Sequence, residues 1–147
     1  MTRINCAIPV KFLTDEHLLA EHRELERMPW YHEMSLKSGS IFKVPSKFTL
    51  GKGHVLFFVN KMGFVLNRYK EVHFECLRRN FSVIDRSCKW NNIDKKYMND
   101  YSPTKDDYNL LVERLSERIK DSKKVNFRYF GNNINKNEAI KLLKWKI

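Results

Sequence analysis

The apolar positions in the first third of the chain repeat with the period of an α-helix. Thr14 is followed by Asp15 and Glu16, a pattern typical of a helix start, because a hydroxyl accepts from free backbone N–H groups and acids offset the positive helix end. The run TDEHLLAEHRELERM contains few helix breakers and predicts a helix that ends at Pro29 or a little beyond it. Its core face should carry four apolar side chains: Leu18, Leu19, Leu25 and Met28.

Two further helices follow from the same periodicity. In the second, the core positions recur at spacings of three and four: Val55, Val59, Met62, Leu66, Tyr69, His73, Cys76 and Leu77. Gly63 interrupts this pattern, so the helix proper begins near it. Ser102 and Pro103 open the third helix. Its apolar stripe consists of Tyr108, Leu111, Val112, Leu115 and Ile119.

The remaining segments read as connections. SGSIFKVPSKFTLGKG is rich in Gly and Pro and predicts a long loop, residues 82–102 have no clear period, and NKNEAIKLLKWKI fits one short basic amphipathic helix. The length of 147 residues and the 42% hydrophobic content suit one domain with a core. The sequence therefore predicts an all-α fold, a single compact domain of about three main helices with long irregular connections.

Positive charge points to a class of partner. Lys and Arg total 28 against 17 Asp and Glu, which gives a formal net charge of +11. Such an excess is typical of proteins that bind a polyanion. The basic residues are interleaved with aromatic and polar ones, as in RRNFSVIDRSCKW and KKVNFRYFGNN, and a membrane-surface helix would segregate them instead. The pattern favours nucleic acid over a membrane.

The sequence also bears on location. The longest apolar run is a handful of residues, too short to span a bilayer, and MTRINCAIPVKF lacks the features of a secretory signal. Cys6, Cys76 and Cys88 lack the spacing of a disulfide framework, which indicates reduced thiols. We therefore expect a cytoplasmic protein that does not enter membranes.

Several familiar chemistries find no support in the motifs. His17 and His22 lie five residues apart, which points them in different directions on a helix, and no HExxH motif accompanies them. His73, three residues before Cys76, belongs to the predicted core stripe. The sequence contains no Gly-rich phosphate loop, GxSxG elbow or CxxC pair. We therefore predict neither a metal site nor a cofactor.

The most informative charged cluster is AEHRELER in the first helix. Arg23 and Arg27 lie four residues apart on one face, and Glu24 lies at the border of that face. A solvated charged surface with a weak Glu–Arg pair is the simpler explanation of this spacing. The cluster alone therefore does not define a site.

The N-terminus adds a candidate nucleophile. Met1 precedes Thr2, a small residue of the kind after which the initiator Met is normally removed. A free α-amine has a pKa of roughly 7.7–8.0, so a substantial fraction is neutral near physiological pH. Such an amine attacks a sugar C1′ or an aldehyde and forms an imine, as catalytic lysines do. In most proteins, however, the second residue is merely a chain end.

Six segments, in order along the chain, carry a resemblance to a known family: MTRIN, DEHLLAEHREL, LGKGHVLFF..K..F, EVHFECLRRNF, NDYSP and RLSERI. They resemble the phage pyrimidine-dimer DNA glycosylases, the small ultraviolet-repair enzymes also called dimer-specific endonuclease V. The similarity covers roughly residues 1–131 with only small gaps.

The resemblance implies an activity. Members of the family are combined glycosylases and abasic-site lyases without metal or cofactor, so this chain is expected to excise cyclobutane dimers from ultraviolet-damaged double-stranded DNA and to cut the abasic site by β-elimination. Thr2, once Met1 is removed, matches the residue whose α-amine attacks C1′, and Glu24 matches the glutamate that assists both steps. We expect a monomer in the cytoplasm of a phage-infected bacterium.

The resemblance also implies DNA contacts. The expected phosphate-binding residues are Arg3, Arg23, Arg27, Arg114 and Arg118, the last of which falls where the family often has lysine. His17 matches a histidine near the family's site, where its role is either structural or direct. The family kinks the duplex and extrudes the adenine opposite the dimer, which fits the lower cost of flipping a base where pairing is already damaged.

The sequence departs from the family pattern in three places. Glu16 stands where the family commonly has glutamine near the DNA, so its charge calls for neutralisation by Lys11 or a nearby arginine. The family's aromatic tail appears as NFRYFG. In that tail, lesion contact and packing against the first helix explain three aromatic residues equally well: Phe127, Tyr129 and Phe130.

The third departure is a basic extension at residues 132–147. It either lengthens the DNA footprint or packs on the same domain, and its relevant residues are Lys136, Lys141, Lys144, Trp145 and Lys146. Two alternatives to the implied function also stay open. One is a glycosylase and lyase of the same mechanism for another modified base, and the other is a non-catalytic DNA-binding relative.

Overall fold

The computed structural model describes residues 4–144, most of which are helical. The α-helices are α1 (Asp15–Glu26), α2 (Met28–Ser38), α3 (His54–Phe58), α4 (Met62–Arg78), α5 (Lys105–Asp121) and α6 (Lys136–Leu143). Single 3₁₀ turns cover Val10–Phe12, Ser40–Lys43, Ser87–Trp90 and Lys95–Tyr97. Two short strands, β1 (Asn126–Tyr129) and β2 (Asn132–Asn135), pair in an antiparallel hairpin.

Helix α1 begins as the sequence predicts. Thr14 is its N-cap, and the Thr14 hydroxyl accepts a hydrogen bond from the backbone N–H of His17 at 3.2 Å. The helix ends at Glu26, but the chain then enters α2 at Met28 instead of a loop. Pro29 lies in the first turn of α2, where its missing N–H costs nothing, because that group has no partner inside a helix. The sequence thus located the break and missed the helix that follows it.

Helices α4 and α5 correspond to the second and third main helices that the sequence predicts. Helix α4 begins at Met62, beside the predicted start at Gly63. A Cβ atom at Gly63 would lie 2.6 Å from the backbone oxygen of Met98, so glycine allows the segment around Met98 to pass close to the start of α4. Helix α5 begins after Thr104, two residues later than the predicted opening at Ser102.

One hydrophobic core receives side chains from each of these helices and from β1. Its largest fully buried members include Leu18 and Leu25 of α1, Phe57 of α3 and Tyr69 of α4. Leu77, which the sequence placed on the core stripe of α4, is instead 48% exposed. The buried face of α4 instead runs through Val65, Tyr69, Val72 and Cys76, and Leu77 lies outside it.

The helical class is confirmed in outline, but the all-α description is corrected by the β1–β2 hairpin. The predicted count of about three main helices is not confirmed, since the described residues contain six. Phe130 and Gly131 form the hairpin turn with φ of 51° and 79°, both in the left-handed region. Positive φ at both turn positions is the geometry that two-residue hairpins favour.

The C-terminal segment packs on the rest of the chain. Helix α6 begins with a capping box between Asn135 and Glu138, and its buried face carries Ala139 and Leu143. The ammonium group of Lys136 donates to the backbone oxygens of Lys120 and Ser122 at 2.9 and 2.6 Å, at the end of α5. Lys136 therefore attaches α6 to the end of α5, which favours the packing alternative for this segment. Trp145 and Lys146 lie outside the described residues.

Two of the three cysteines are inaccessible. Cys6 and Cys76 are buried, whereas Cys88 is exposed. Burial raises the pKa of the Cys6 thiol far above its ordinary range and that of Cys76 to about 11. Within residues 4–144, no helix is long and apolar enough to cross a membrane.

Candidate active site

A cavity of about 490 Å³ lies where α1, the end of α5 and the hairpin meet. Its volume is within the usual range of small-ligand sites. The lining residues are Asn5, His17, Ala20, Glu21, Arg23, Glu24, Arg27, Leu115, Arg118, Ser122, Lys124 and Phe127.

The structure brings many of the predicted site residues to this cavity. Helix α1 supplies His17, Arg23 and Glu24, its C-cap is Arg27, and α5 supplies Arg118. Glu24 is 8% exposed, whereas Arg23 and Arg27 are exposed. A buried carboxylate thus shares one cavity with three arginines, an arrangement suited to a phosphate-bearing ligand.

Several other predicted residues are not among the described residues that line this cavity. Thr2 and Arg3 are outside the described residues. Arg114 is half-buried one helical turn before Arg118 and does not line the cavity. Glu16 and the hairpin residue Arg128 line a separate cavity on the far side of α1.

The charge of Glu16 is compensated, although not by the predicted Lys11. Its carboxylate lies 3.6 Å from the ammonium of Lys124 and accepts the backbone N–H of Arg128 at 3.0 Å. Glu16 therefore helps to attach the hairpin to α1, and it holds Lys124 at the cavity edge. The sequence missed Lys124 because the two residues are more than one hundred positions apart.

His17 connects helix α1 to the hairpin. Its Nδ1 lies 2.7 Å from the Thr14 hydroxyl, and its ring stacks on Phe127 with centroids 5.9 Å apart. Burial, together with the positive charge of Arg118 and against the negative charge of Glu16, lowers the pKa of His17 to about 4. His17 is therefore neutral at physiological pH and contributes hydrogen bonding and shape, not charge.

The three aromatic residues of the hairpin are held by packing contacts. Phe127 is 5% exposed and rests on His17 of α1. The guanidinium of Arg79 lies 4.8 Å from the ring centre of Tyr129 and 4.7 Å from that of Phe130. These contacts favour packing over lesion contact for Phe127, while Phe130 keeps 40% of its surface exposed.

Asp15 fixes the hairpin turn. Its carboxylate accepts the backbone N–H groups of Phe130 and Gly131 at 3.1 and 2.9 Å and pairs with buried Arg79 at 3.0 Å. Arg79 also donates to Glu75 at 3.0 Å. One acidic residue at the start of α1 thus joins the hairpin to α4, and the same residue offsets the positive end of α1.

The N-terminal arm, residues 4–8, reaches the cavity through Asn5. The Asn5 side-chain amide donates to Glu21 at 3.1 Å, and Glu21 is paired with Arg68 through two hydrogen bonds of 2.7 and 3.1 Å. Arg68 in turn donates to the backbone oxygen of Ile8 at 2.8 Å. This buried chain was not predicted, because its members come from three elements and share no local motif.

Two buried polar atoms at the cavity have no hydrogen-bond partner among the described residues. They are the Asn5 Oδ1 atom, an acceptor, and the Arg118 Nε atom, a donor. Buried polar atoms without partners are uncommon and costly unless a ligand or water satisfies them. Their position suggests that the cavity is shaped for a polar ligand.

Metal ligation finds no support in the geometry of residues 4–144, where no group of three or more His, Cys, Asp or Glu side chains could hold an ion. The helical fold brings basic side chains and the buried carboxylates of Glu21 and Glu24 to one cavity, an arrangement typical of a protein that binds a polyanion. Residues 1–89 match the family model described as pyrimidine dimer DNA glycosylase. The chain therefore belongs to that family, which confirms the resemblance seen in the sequence, and its substrate is DNA. The match includes α1 and the N-terminal arm and ends before α5 and the hairpin.

Proposed function

We propose that this protein removes cyclobutane pyrimidine dimers from ultraviolet-damaged duplex DNA through an imine formed by the α-amine of Thr2, and then cuts the resulting abasic site. The observation that carries the proposal is Glu24, a buried carboxylate in a basic cavity that the N-terminal arm enters at Asn5. Thr2 precedes Asn5 by three residues, so the covalent chain keeps its amine within about 11 Å of the Asn5 Cα atom.

The first step exchanges one C–N bond for another. The neutral Thr2 amine forms a bond to C1′ of the 5′ sugar, the bond from C1′ to the pyrimidine nitrogen breaks, and the leaving pyrimidine takes the electron pair and a proton. The C1′–O4′ bond then breaks, O4′ keeps its electron pair and takes a proton from water, and the nitrogen lone pair forms the C1′=N bond of the iminium. Glu24 stabilises the positive charge that develops at C1′, and burial strengthens this interaction.

The second step cuts the strand. The iminium acidifies the C2′ proton, and Glu24 is the carboxylate in the cavity that we assign as the base. The electron pair forms the C2′–C3′ double bond and expels the 3′ phosphate. Water then hydrolyses the imine and regenerates the amine. We propose that the protein acts as a monomer.

Borohydride trapping tests the proposal. Reduction of the reaction with abasic or irradiated duplex DNA should give a covalent adduct, and peptide mapping should locate it on Thr2. Protein that retains Met1 should give no adduct, because its amine is displaced by one residue. An adduct confined to a lysine such as Lys11 would refute the assignment of the nucleophile.

A comparison of damaged substrates tests the specificity. Irradiated plasmid should be nicked, whereas oxidised or alkylated plasmid should not be. Nicking of only the oxidised or alkylated DNA would assign the same chemistry to another base, and binding without nicking of any substrate would identify a non-catalytic relative.

A further inference from the structure

We infer that His54 is a positioning residue for the N-terminal nucleophile and acts by holding the backbone of Ile4. This inference rests on the proposed function of Thr2. The backbone N–H of Ile4 donates to Nε2 of His54 at 3.0 Å, across fifty positions of sequence. Ile4 is two residues from Thr2, so this hydrogen bond fixes the chain close to the reactive amine.

The hydrogen-bond network sets the tautomer of His54. Because Nε2 accepts from Ile4, the ring proton lies on Nδ1, which donates to the backbone oxygen of Thr49 at 2.9 Å. Both nitrogens are thus used in one orientation of the ring. The imidazole joins the loop before α3 to the N-terminal arm.

Packing makes the position of the ring rigid. His54 is fully buried, and the rings of Phe48 and Phe58 meet it edge-on with centroids 5.6 Å away in both cases. A ring held on two edges by aromatic neighbours and at both nitrogens by hydrogen bonds has little freedom to move. The Ile4 amide is therefore attached to the core and not to another flexible segment.

A second attachment follows one residue later. The Asn5 side chain binds Glu21, which is itself held by Arg68. The two attachments lie on consecutive residues and point to different elements, so the arm cannot rotate about either one. Reaction at C1′ requires a well-placed amine, and a misplacement of about 1 Å costs on the order of a hundredfold in rate.

Two substitutions of His54 test its hydrogen bond to the N-terminal arm separately from its hydrogen bond to the loop before α3. In His54→Gln the side-chain oxygen reaches the place of Nε2 and still accepts from Ile4. In His54→Asn the shorter amide replaces Nδ1, still donates to Thr49, and leaves Ile4 without an acceptor. A matched control is His32→Asn, since His32 is also buried and its Nδ1 lies 2.5 Å from the backbone oxygen of Val59, without contact to the arm.

The first measurement is the single-turnover rate of borohydride trapping on abasic duplex, together with the Kd for the same DNA. We expect His54→Asn to lower the trapping rate by about ten- to a hundredfold with less than a threefold change in Kd. His54→Gln and His32→Asn should keep most of the wild-type rate. Equal rates for His54→Asn and His54→Gln would overturn the inference.

The second measurement does not depend on activity. Hydrogen exchange of the Ile4 amide should be slow in the wild type and in His54→Gln, and at least tenfold faster in His54→Asn at matched fold stability. Equal protection in both variants would show that His54 does not hold the arm, whatever the trapping rates. If the wild-type protein forms no adduct on Thr2, the proposed function fails, and exchange alone still decides whether His54 anchors the arm.

Discussion

Glu24 shares its cavity with guanidinium groups from two helices, and this arrangement separates its role in chemistry from its role in binding. In the proposed mechanism, the carboxylate lowers the affinity for phosphates while it stabilises positive charge on the sugar. Glu24→Gln keeps the size and much of the hydrogen bonding and removes the charge and the base. Activity and affinity should therefore respond to this substitution in opposite directions.

We expect Glu24→Gln to lower both base excision and strand cleavage by about two orders of magnitude or more, the range for loss of one electrostatic or acid–base group. Binding of irradiated duplex should persist or tighten. Single-turnover excision and equilibrium binding measure the two effects. The matched control is Glu33→Gln, which removes an exposed carboxylate paired with Lys37 on α2 and should leave both unchanged. Wild-type activity in Glu24→Gln would show that Glu24 takes no part in the chemistry.

His17 makes stability depend on pH. Its pKa is about 4 in the folded protein, against an ordinary value of 6.5. Between these values the unfolded chain binds a proton that the folded protein does not, so the contribution of His17 is fully present above pH 6.5 and is lost as the pH falls toward 4. His17→Gln removes this dependence.

Between pH 6.5 and 4, the Tm of the wild type should fall by about 3 °C or more beyond the fall seen for His17→Gln. A loss of 1 kcal/mol in the free energy of unfolding lowers Tm by roughly 3 °C in a domain of this size. Thermal unfolding across this range measures the difference. The other histidines are common to both proteins, so parallel curves would exclude His17 as the source.

At the scale of elements, periodicity predicts four of the helices, including the short C-terminal α6, and misses α2 and the hairpin. Helices α1, α4 and α5 have regular apolar stripes, so the sequence predicts them. Helix α2 was missed because Pro29 marks a helix start as well as a stop. The hairpin was missed because Phe130 holds a positive φ that Asn or Gly usually takes, and its asparagine-rich second strand does not alternate.

The site residues likewise fall into those that a local motif indicates and those that only long-range packing brings together. Glu24, Arg23 and Arg27 lie within one helical segment, so a short motif indicates them. The contacts from His54 to Ile4 and from Arg68 to Glu21 join residues fifty and forty-seven positions apart. Such contacts are set by the packing of elements and leave no local pattern to recognise.

The hairpin depends on Asp15. Asp15→Asn leaves buried Arg79 with one fewer charged partner and weakens the acceptor of two turn amides. We expect a loss of about 3 kcal/mol in the free energy of unfolding, the range for breaking a buried ion pair. Urea unfolding measures this loss. Asp106→Asn is the control, because Asp106 is an exposed acid in the first turn of α5 and should cost well under 1 kcal/mol. A loss no larger than that of the control would show that Asp15 does not hold the hairpin.

At the scale of the whole molecule, we expect the net charge of +11 to govern how the protein searches DNA. If the five predicted arginines each neutralise one phosphate, log K should fall with log salt with a slope of about −4.5 or steeper. Arg114→Ala should reduce the magnitude of the slope by about one without changing lesion preference. Lys37→Ala is the control, because Lys37 is paired with Glu33. Measuring the binding constant across a salt series tests this prediction. An unchanged slope in Arg114→Ala would show that Arg114 does not contact a phosphate.

The same charge predicts a change in the pattern of cleavage. At low salt the protein should stay on one plasmid between lesions, so linear product appears while supercoiled DNA remains. At higher salt it should leave after each nick, because counterions compete for the phosphates. A ratio of linear to nicked product that does not vary with salt would refute an electrostatic search.

The exposure of one cysteine allows the movement of the protein along DNA to be followed with a fluorescent label. Cys6 and Cys76 are buried with raised pKa values, so they stay protonated and unreactive, and Cys88 is the exposed cysteine of the three. A maleimide dye should therefore attach at one position on the unaltered protein. Cys88 lies in the 3₁₀ turn Ser87–Trp90, outside the cavity that contains Glu24. The native chain thus carries its own attachment point for following single molecules as they diffuse along stretched DNA.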